Sequence, residues 1–234
     1  MNSLADFHNH TCLSPCASLE LSPKILVNLA SQRGVQILAL TDHNSALNTP
    51  TFEKLCKSED ILPLCGLEVT TVEELHCLCL FESAETALAF GDKIASSLLK
   101  IPNRPESWGD QPWVDENDLI MGEVDYWLGA ASSYSLTDLG RLCHEFSGLW
   151  IPAHIDRPTQ SVTSQLGYLP PDEYDALEVR ENAGHLEILD LPLVRGSDAH
   201  YPENVATRTC RLELEQMSFN AVKDALKRRR VSAF

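Results

Sequence analysis

The feature that most restricts the fold is a series of short apolar runs that do not alternate with polar residues. They are Val35–Leu40, Ile61–Cys65, Leu75–Phe81, Leu149–Ala153 and Ala176–Val179. Each has the length of a strand and is rich in β-branched residues or leucine. Such runs are expected of strands buried on both faces, as in a parallel sheet flanked by helices. The stretches between them carry helix signals. Ser22 and Pro23 supply a cap and a first-turn proline, and Gly34 supplies a stop. Leu136–Phe146 follows Ser135, and Met217–Arg229 ends in a basic turn that suits the helix dipole. Alternation of this kind predicts an α/β fold with a parallel sheet or barrel. With 234 residues, 44% of them hydrophobic, residues 1–234 are expected to form a single domain.

Residues 101–134 interrupt the alternation. They are rich in proline, tryptophan and acid, and predict an excursion from the barrel with a small hairpin around Glu116–Asp118. A lid over a site, a dimer contact and a plain surface loop are all compatible with such a segment.

The net charge is −16. So acidic a chain offers no basic footprint for long nucleic acid, although small phosphorylated ligands remain compatible where bound cations supply local positive charge. No run of about 18 apolar residues occurs and the first residues do not resemble a leader, so a cytoplasmic protein without a membrane partner is expected. The eight cysteines are then expected as free thiols, and none forms a CxxC pair.

Ligand-type residues gather where the apolar runs end, the place where parallel α/β folds collect their sites. His8 and His10 stand two apart after the first short run, so on extended chain both imidazoles face one side. Asp42 and His43 follow the second run, Glu68 the third and His154 a later one. His76 lies within Leu75–Phe81, and Asp198 and His200 are again spaced by two. A single buried histidine is an ordinary core residue, but this set is costly to bury without metal or mutual hydrogen bonds. His144 and His185 fall outside the pattern and read as structural.

These motifs, DFHNHTCLSPC, ALTDHNS, GLEVTT, LHCLCLF, PAHIDRP and GSDAH, resemble in order those of the PHP (polymerase and histidinol phosphatase) superfamily of metal-dependent phosphoesterases. The resemblance covers roughly residues 6–200. It implies a distorted (β/α)7 barrel, TIM-like, with two to three divalent ions (zinc, manganese or iron) at the C-terminal rim of the strands. It further implies that His8, His10, Glu68 and Asp198 hold one ion. Glu68 would bridge to a second, held also by His76 and His154, and His43 and His200 would serve a third. The family usually places an aspartate where this chain has Pro15. Cys12 or Cys16 is a candidate substitute, and a thiolate would favour a softer ion such as zinc. Asp42 is expected behind the ligands, orienting His43 or a bound water.

The implied reaction is hydrolysis of a phosphomonoester or short nucleotide phosphodiester by a hydroxide shared between two ions roughly 3.5–4 Å apart. Glu68, Asp198 and His200 would form the catalytic set, with His200 or water beside it protonating the leaving group. Arg157 and Arg180 are candidates for gripping the phosphate. No P-loop or GxSxG motif supports another phosphoryl or acyl mechanism. Hydrolysis of a non-phosphate substrate at the same rim, or a non-catalytic metal-stabilised module, are the alternatives.

Overall fold

The computed structural model describes residues 1–181 and 190–233. His185 lies outside them. In chain order the elements are β1 (Asn2–Asp6), α1 (Pro23–Gln32), β2 (Ile37–Leu40), α2 (Thr49–Ser58), β3 (Leu62–Thr70) and β4 (His76–Phe81). They continue with α3 (Ala84–Ser97), α4 (Pro105–Trp108), β5 (Pro112–Val114), β6 (Ile120–Glu123), α5 (Leu136–Glu145) and β7 (Leu149–Pro152). Last come α6 (Val162–Leu166), β8 (Leu177–Glu178), β9 (Leu193–Val194), β10 (Cys210–Glu213), α7 (Phe219–Lys227) and β11 (Val231–Ser232).

The helices form where the capping chemistry permits. The Ser22 hydroxyl accepts from Ile25 N–H at 3.3 Å and Pro23 opens α1. Ser135 and Ser218 cap α5 and α7 in the same way. Each such cap contributes on the order of 1 kcal/mol by satisfying a free backbone donor.

Among the described residues the main sheet has seven strands in the order β11-β10-β1-β2-β3-β4-β7. It is mixed, which corrects the expectation of a parallel sheet. The β1–β2 and β2–β3 pairs are parallel, whereas β3–β4, β4–β7 and β1–β10 are antiparallel. Apolar runs buried on both faces carry no sign of strand direction, and the five-residue connection from Thr70 to His76 is too short for a crossover, so β4 must turn back along β3.

The sheet curls until its ends approach each other. Beyond β7, Ile155 N–H bonds to the Glu178 carbonyl at 2.9 Å, linking to β8. β8 pairs in parallel with β9, and Phe7 N–H returns to the Arg195 carbonyl at 3.2 Å beside β1. The strands β1, β2, β3, β4, β7, β8 and β9 therefore ring a common interior, as a distorted TIM-like barrel does. Inside it pack Ala5, Phe7, Ile37, Leu64, Leu78 and Ile151, all fully buried. The alternate residues of the same strands, including Leu38, Leu40, Leu67, Cys77 and Cys79, face the helices and belong to a second core layer. Burial on both sides is why the runs lack polar alternation.

The excursion forms the hairpin β5–β6, whose turn spans the expected Glu116–Asp118. No helix among the described residues is long and apolar enough to cross a membrane.

Candidate metal centre

The upper rim of the ring brings the ligand-type side chains together through backbone links between neighbouring strand ends. Asp198 N–H donates to the His8 carbonyl at 2.8 Å and His10 N–H to the Ala199 carbonyl at 2.9 Å. The H-x-H and D-x-H motifs thus lie side by side as extended chain. Next around the rim, Asn44 N–H donates to the Glu68 carbonyl at 2.9 Å, and Ala153 N–H to the His76 carbonyl at 3.0 Å. Because β4 is antiparallel, His76 enters the rim from the beginning of its strand. His154 and Asp198 occupy left-handed backbone, at φ 32° and 52°. Non-glycine residues pay for that conformation only where the surroundings impose it, and such strain concentrates at functional sites.

Five of the other seven candidate ligands lie against Glu68, and Asp198 and His200 join them through His8 and His10. Glu68 Oε1 lies 2.8 Å from His76 Nδ1, 3.1 Å from His154 Nε2 and 3.4 Å from His8 Nε2. Its Oε2 lies 3.1 Å from His43 Nδ1 and 3.4 Å from His10 Nε2. Asp198 Oδ1 is 3.5 Å from both His8 Nε2 and His10 Nε2, and those two nitrogens are 3.1 Å apart. Three triads have donor atoms mutually close enough to share an ion: His8–His10–Asp198, His43–Glu68–His76 and His10–His43–His200. His43 thus serves two groupings instead of the third alone. Imidazole nitrogens aimed at one another, with a carboxylate between them and almost no access to solvent, suit a divalent cation.

The electrostatics fit the same reading. Burial would raise the Glu68 carboxyl, but His76, His8 and His43 hold it well below the usual range. Asp198 is held low against burial by His8 and His10. Burial pushes His76 down to about 4, with Glu68 opposing, and pushes His10 well down, reinforced by His200 and His43. Burial would also depress His8, but Glu178, Glu68 and Asp198 override it and hold His8 well above the ordinary value.

Glu178 was not among the residues the sequence singled out. It is fully buried and accepts from His8 Nδ1–H at 2.9 Å and from His154 N–H at 2.8 Å. Its only signal was an acid inside an apolar run, ALEV. Asp42 stands behind the ligands, but it does not touch the His43 ring; Ser14 Oγ, which it holds, accepts from the His43 backbone N–H at 3.1 Å. The Asp42 carboxylate accepts from Thr11 N–H at 2.7 Å, Thr11 Oγ1–H at 2.6 Å and Ser14 Oγ–H at 2.7 Å. Ser14 Oγ in turn lies 3.0 Å from His10 Nδ1, so Asp42 positions His10 through Ser14.

The two candidate thiols separate. Cys12 is buried with its Sγ 3.8 Å from the Pro112 carbonyl, and burial pushes it up to about 12. Cys16 is exposed where it lines the cavity above the cluster; its partial desolvation would raise the thiol, but His43 and His200 pull it down to about 6. Arg157 and Arg180 line the same cavity, of about 740 Å³. The Arg157 guanidinium is 3.7 Å from Asp198 Oδ2, and the Nε of Arg180 is buried with no hydrogen-bond partner among the described residues. His144 stands elsewhere, bonded to Asp175 Oδ2 at 3.0 Å.

Solved structures share this fold. Endonuclease Q from Pyrococcus furiosus superposes with a TM-score of 0.71 at 17% identity, over 97% of this chain and 56% of that one. Endonuclease Q in complex with a 27-mer duplex carrying an abasic lesion gives 0.69 at 16% identity, over 97% and 57%. A two-domain protein from Bacteroides vulgatus containing a predicted PHP-like metal-dependent phosphoesterase gives 0.60 at 16%, over 100% and 65%. An amidohydrolase from Chromobacterium violaceum, with bound sulfate and no metal, gives 0.54 at 17%, over 98% and 97%. The chain thus spans little more than half of endonuclease Q. That relative binds duplex DNA, so the expectation of no long nucleic acid rests on this chain's charge and not on the fold. No curated protein matches the sequence. The PHP domain model matches residues 6–162, well over half of the chain and the whole stretch from His8 to His154, and the chain belongs to the PHP domain family.

Proposed function

We propose that the chain is a metal-dependent phosphoesterase acting on a phosphomonoester or a short nucleotide phosphodiester. The observation that carries this reading is the convergence of six imidazoles with Glu68 and Asp198 beneath a cavity that also holds Arg157 and Arg180. Divalent ions bound there, of the zinc, manganese or iron class, would supply an acidified water as nucleophile and neutralise the phosphoryl oxygens. His8, His10, Glu68 and Asp198 would hold one ion. Glu68, His76 and His154 would hold a second, with Glu68 as the bridge because its carboxylate lies between His76 and His154 on Oε1, His8 also on Oε1, and His10 and His43 on Oε2. His10, His43 and His200 converge as a third triad, and we assign its remaining donor to Cys16, since Pro15 offers none and Cys12 faces away.

Arg180 lines the cavity, its Nε without a hydrogen-bond partner among the described residues, and Arg157 reaches the same space beside Asp198; both are assigned to phosphate oxygens. We assign protonation of the leaving group to His200 or, where His200 holds the third ion, to a water beside it. Burial would lower the His200 imidazole, but Cys16 and Asp198 raise it. Two arginines in the cavity favour an anionic substrate over an amide or lactone.

The test is turnover of 4-nitrophenyl phosphate and of nucleotides with added Mn²⁺, Zn²⁺ or Fe²⁺. Turnover that disappears in Glu68→Gln supports the reading. Absence of turnover with every metal across a broad phosphoester panel overturns it. Activity on an amide or lactone panel would indicate the non-phosphate alternative, and a protein that retains no stoichiometric metal would indicate a non-catalytic module.

A further inference from the structure

The excursion supplies one wall of the cavity, and that wall is aromatic. Trp108 and Trp127 both line the cavity that Arg157 and Arg180 also line. Their rings stack on each other, with centroids 4.9 Å apart and planes 26° from parallel.

This wall is built rather than draped. Trp127 N–H donates to the Ile101 carbonyl at 2.8 Å, and Trp108 N–H to the Arg104 carbonyl at 2.9 Å. The Gln111 amide, fully buried, donates to the Val124 and Tyr126 carbonyls at 3.0 and 2.7 Å and accepts from Leu128 N–H at 2.8 Å. Asn44, beside His43, donates to the Leu128 and Ala130 carbonyls at 2.7 and 2.9 Å. These bonds tie the tryptophan segment to the metal rim. At the other end Gly109, at φ 95°, lies so close to Pro15 that a Cβ would stand 2.1 Å from the Pro15 carbonyl oxygen. Stacked on each other and partly buried, the two indoles still leave apolar surface toward the charged cavity, and such surface is characteristic of ligand sites.

We propose that Trp108 and Trp127 are specificity-determining residues that stack against a planar heteroaromatic ring of the substrate, while Arg157 and Arg180 take the phosphate. The substrate is then a phosphoester whose alcohol carries such a ring, as a nucleoside does. A cavity of about 740 Å³ has room for a ring, a sugar and a phosphate together. The proposal rests on the phosphoesterase reading and adds the class of leaving group.

The test compares adenosine 5′-monophosphate with ribose 5-phosphate, which has the same reacting end and lacks only the base. Stacking on an aromatic side chain is expected to favour the nucleotide in kcat/KM by on the order of ten- to a hundred-fold. Trp108→Leu should collapse that ratio, mostly through KM, and Trp108→Phe should restore part of it. Titration of the nucleotide against tryptophan fluorescence gives a readout independent of turnover, with quenching expected in the parent chain and diminished in Trp108→Leu. If the parent turns over both esters equally and Trp108→Leu leaves the ratio unchanged, the platform is wrong while the phosphoesterase reading stands. If no ester is turned over but nucleotide quenching depends on Trp108, the reading fails and the platform stands.

Discussion

Glu178 and His8 form a fully buried pair in which the carboxylate accepts from Nδ1–H at 2.9 Å, leaving Nε2 directed at Glu68 and Asp198. The bond fixes the imidazole tautomer and makes Nε2 the better donor. The carboxylate Oε2 also accepts from His154 N–H, and its Oε1 lies 3.1 Å from the same His8 Nδ1, so both oxygens face a donor. In Glu178→Gln one oxygen becomes an NH₂ that faces a donor. Metal affinity, measured by competition with a chromophoric chelator, is expected to fall about 10- to 100-fold. An unchanged affinity would show that Glu178 only fills space.

Metal loading should release protons. In the metal-free chain His8 is raised above the ordinary histidine range by Glu178, Glu68 and Asp198 against the effect of burial, and His43 by Cys16 and Glu68 against the same effect. Both are therefore biased toward the protonated form in the metal-free chain. The stability they lend the metal-free fold is present below the ordinary histidine pKa and disappears as pH rises through the raised values. An ion needs their neutral forms, so affinity should climb over that same range of rising pH. Titration calorimetry in buffers of different ionisation enthalpy is expected to show release of at least one proton at pH 7. Identical heats in all buffers would contradict this account.

Gly196 leaves the space in which the pair sits. A Cβ there would stand 2.2 Å from the His8 Cβ, 2.5 Å from its backbone nitrogen and 2.7 Å from Glu178 Oε1. Gly66, within β3 and facing β4, is equally tight, with a Cβ 2.2 Å from the Cys79 carbonyl oxygen, but the residues it would strike, Cys79 and Leu80, are not candidate ligands. Alanine at either site should cost about 1–3 kcal/mol or more by overpacking, which lowers Tm by several degrees. Gly196→Ala alone should also weaken metal binding. Equal losses of affinity in both variants would mean that the site responds to global stability only.

The candidate ligands were legible because most of them end apolar runs: His8, His10, His43, Glu68, His154, Asp198 and His200 do so, while His76 lies within one. Glu178 was not, because it sits inside an apolar run, and its partner His8 is 170 residues away across the closure of the ring. The Asp42–Ser14–His10 connection was equally hidden, since Asp42 stands next to His43 in sequence and reaches the loop after β1 only in the fold. The reversal of β4 escaped because strands buried on both faces look alike in either direction. Residues 101–134 were recognisable as an excursion, and the hairpin turn was found near Glu116–Asp118. Their attachment through Gln111 and Asn44 depends on side-chain amides meeting free carbonyls, which no periodicity encodes.

Pro15 leaves the third group of imidazoles without a carboxylate, and the two neighbouring thiols give opposite expectations. The Cys16 thiol faces the cavity beside His43 and His200, which draw it down to about 6 although partial desolvation opposes them, so thiolate is available near neutrality. The Cys12 thiol is turned toward the Pro112 carbonyl and Asn48 and stays protonated. A sulfur donor added to imidazoles favours zinc or cobalt over manganese. Protein loaded with Co²⁺ is expected to show a sulfur-to-cobalt charge-transfer band in the near ultraviolet. The band should vanish in Cys16→Ser and persist in Cys12→Ser, and the Cys16→Ser chain should retain one fewer zinc ion per molecule after dialysis. A band that survives in Cys16→Ser, with zinc content unchanged, would remove Cys16 from the ligand set and leave the third triad to its three imidazoles.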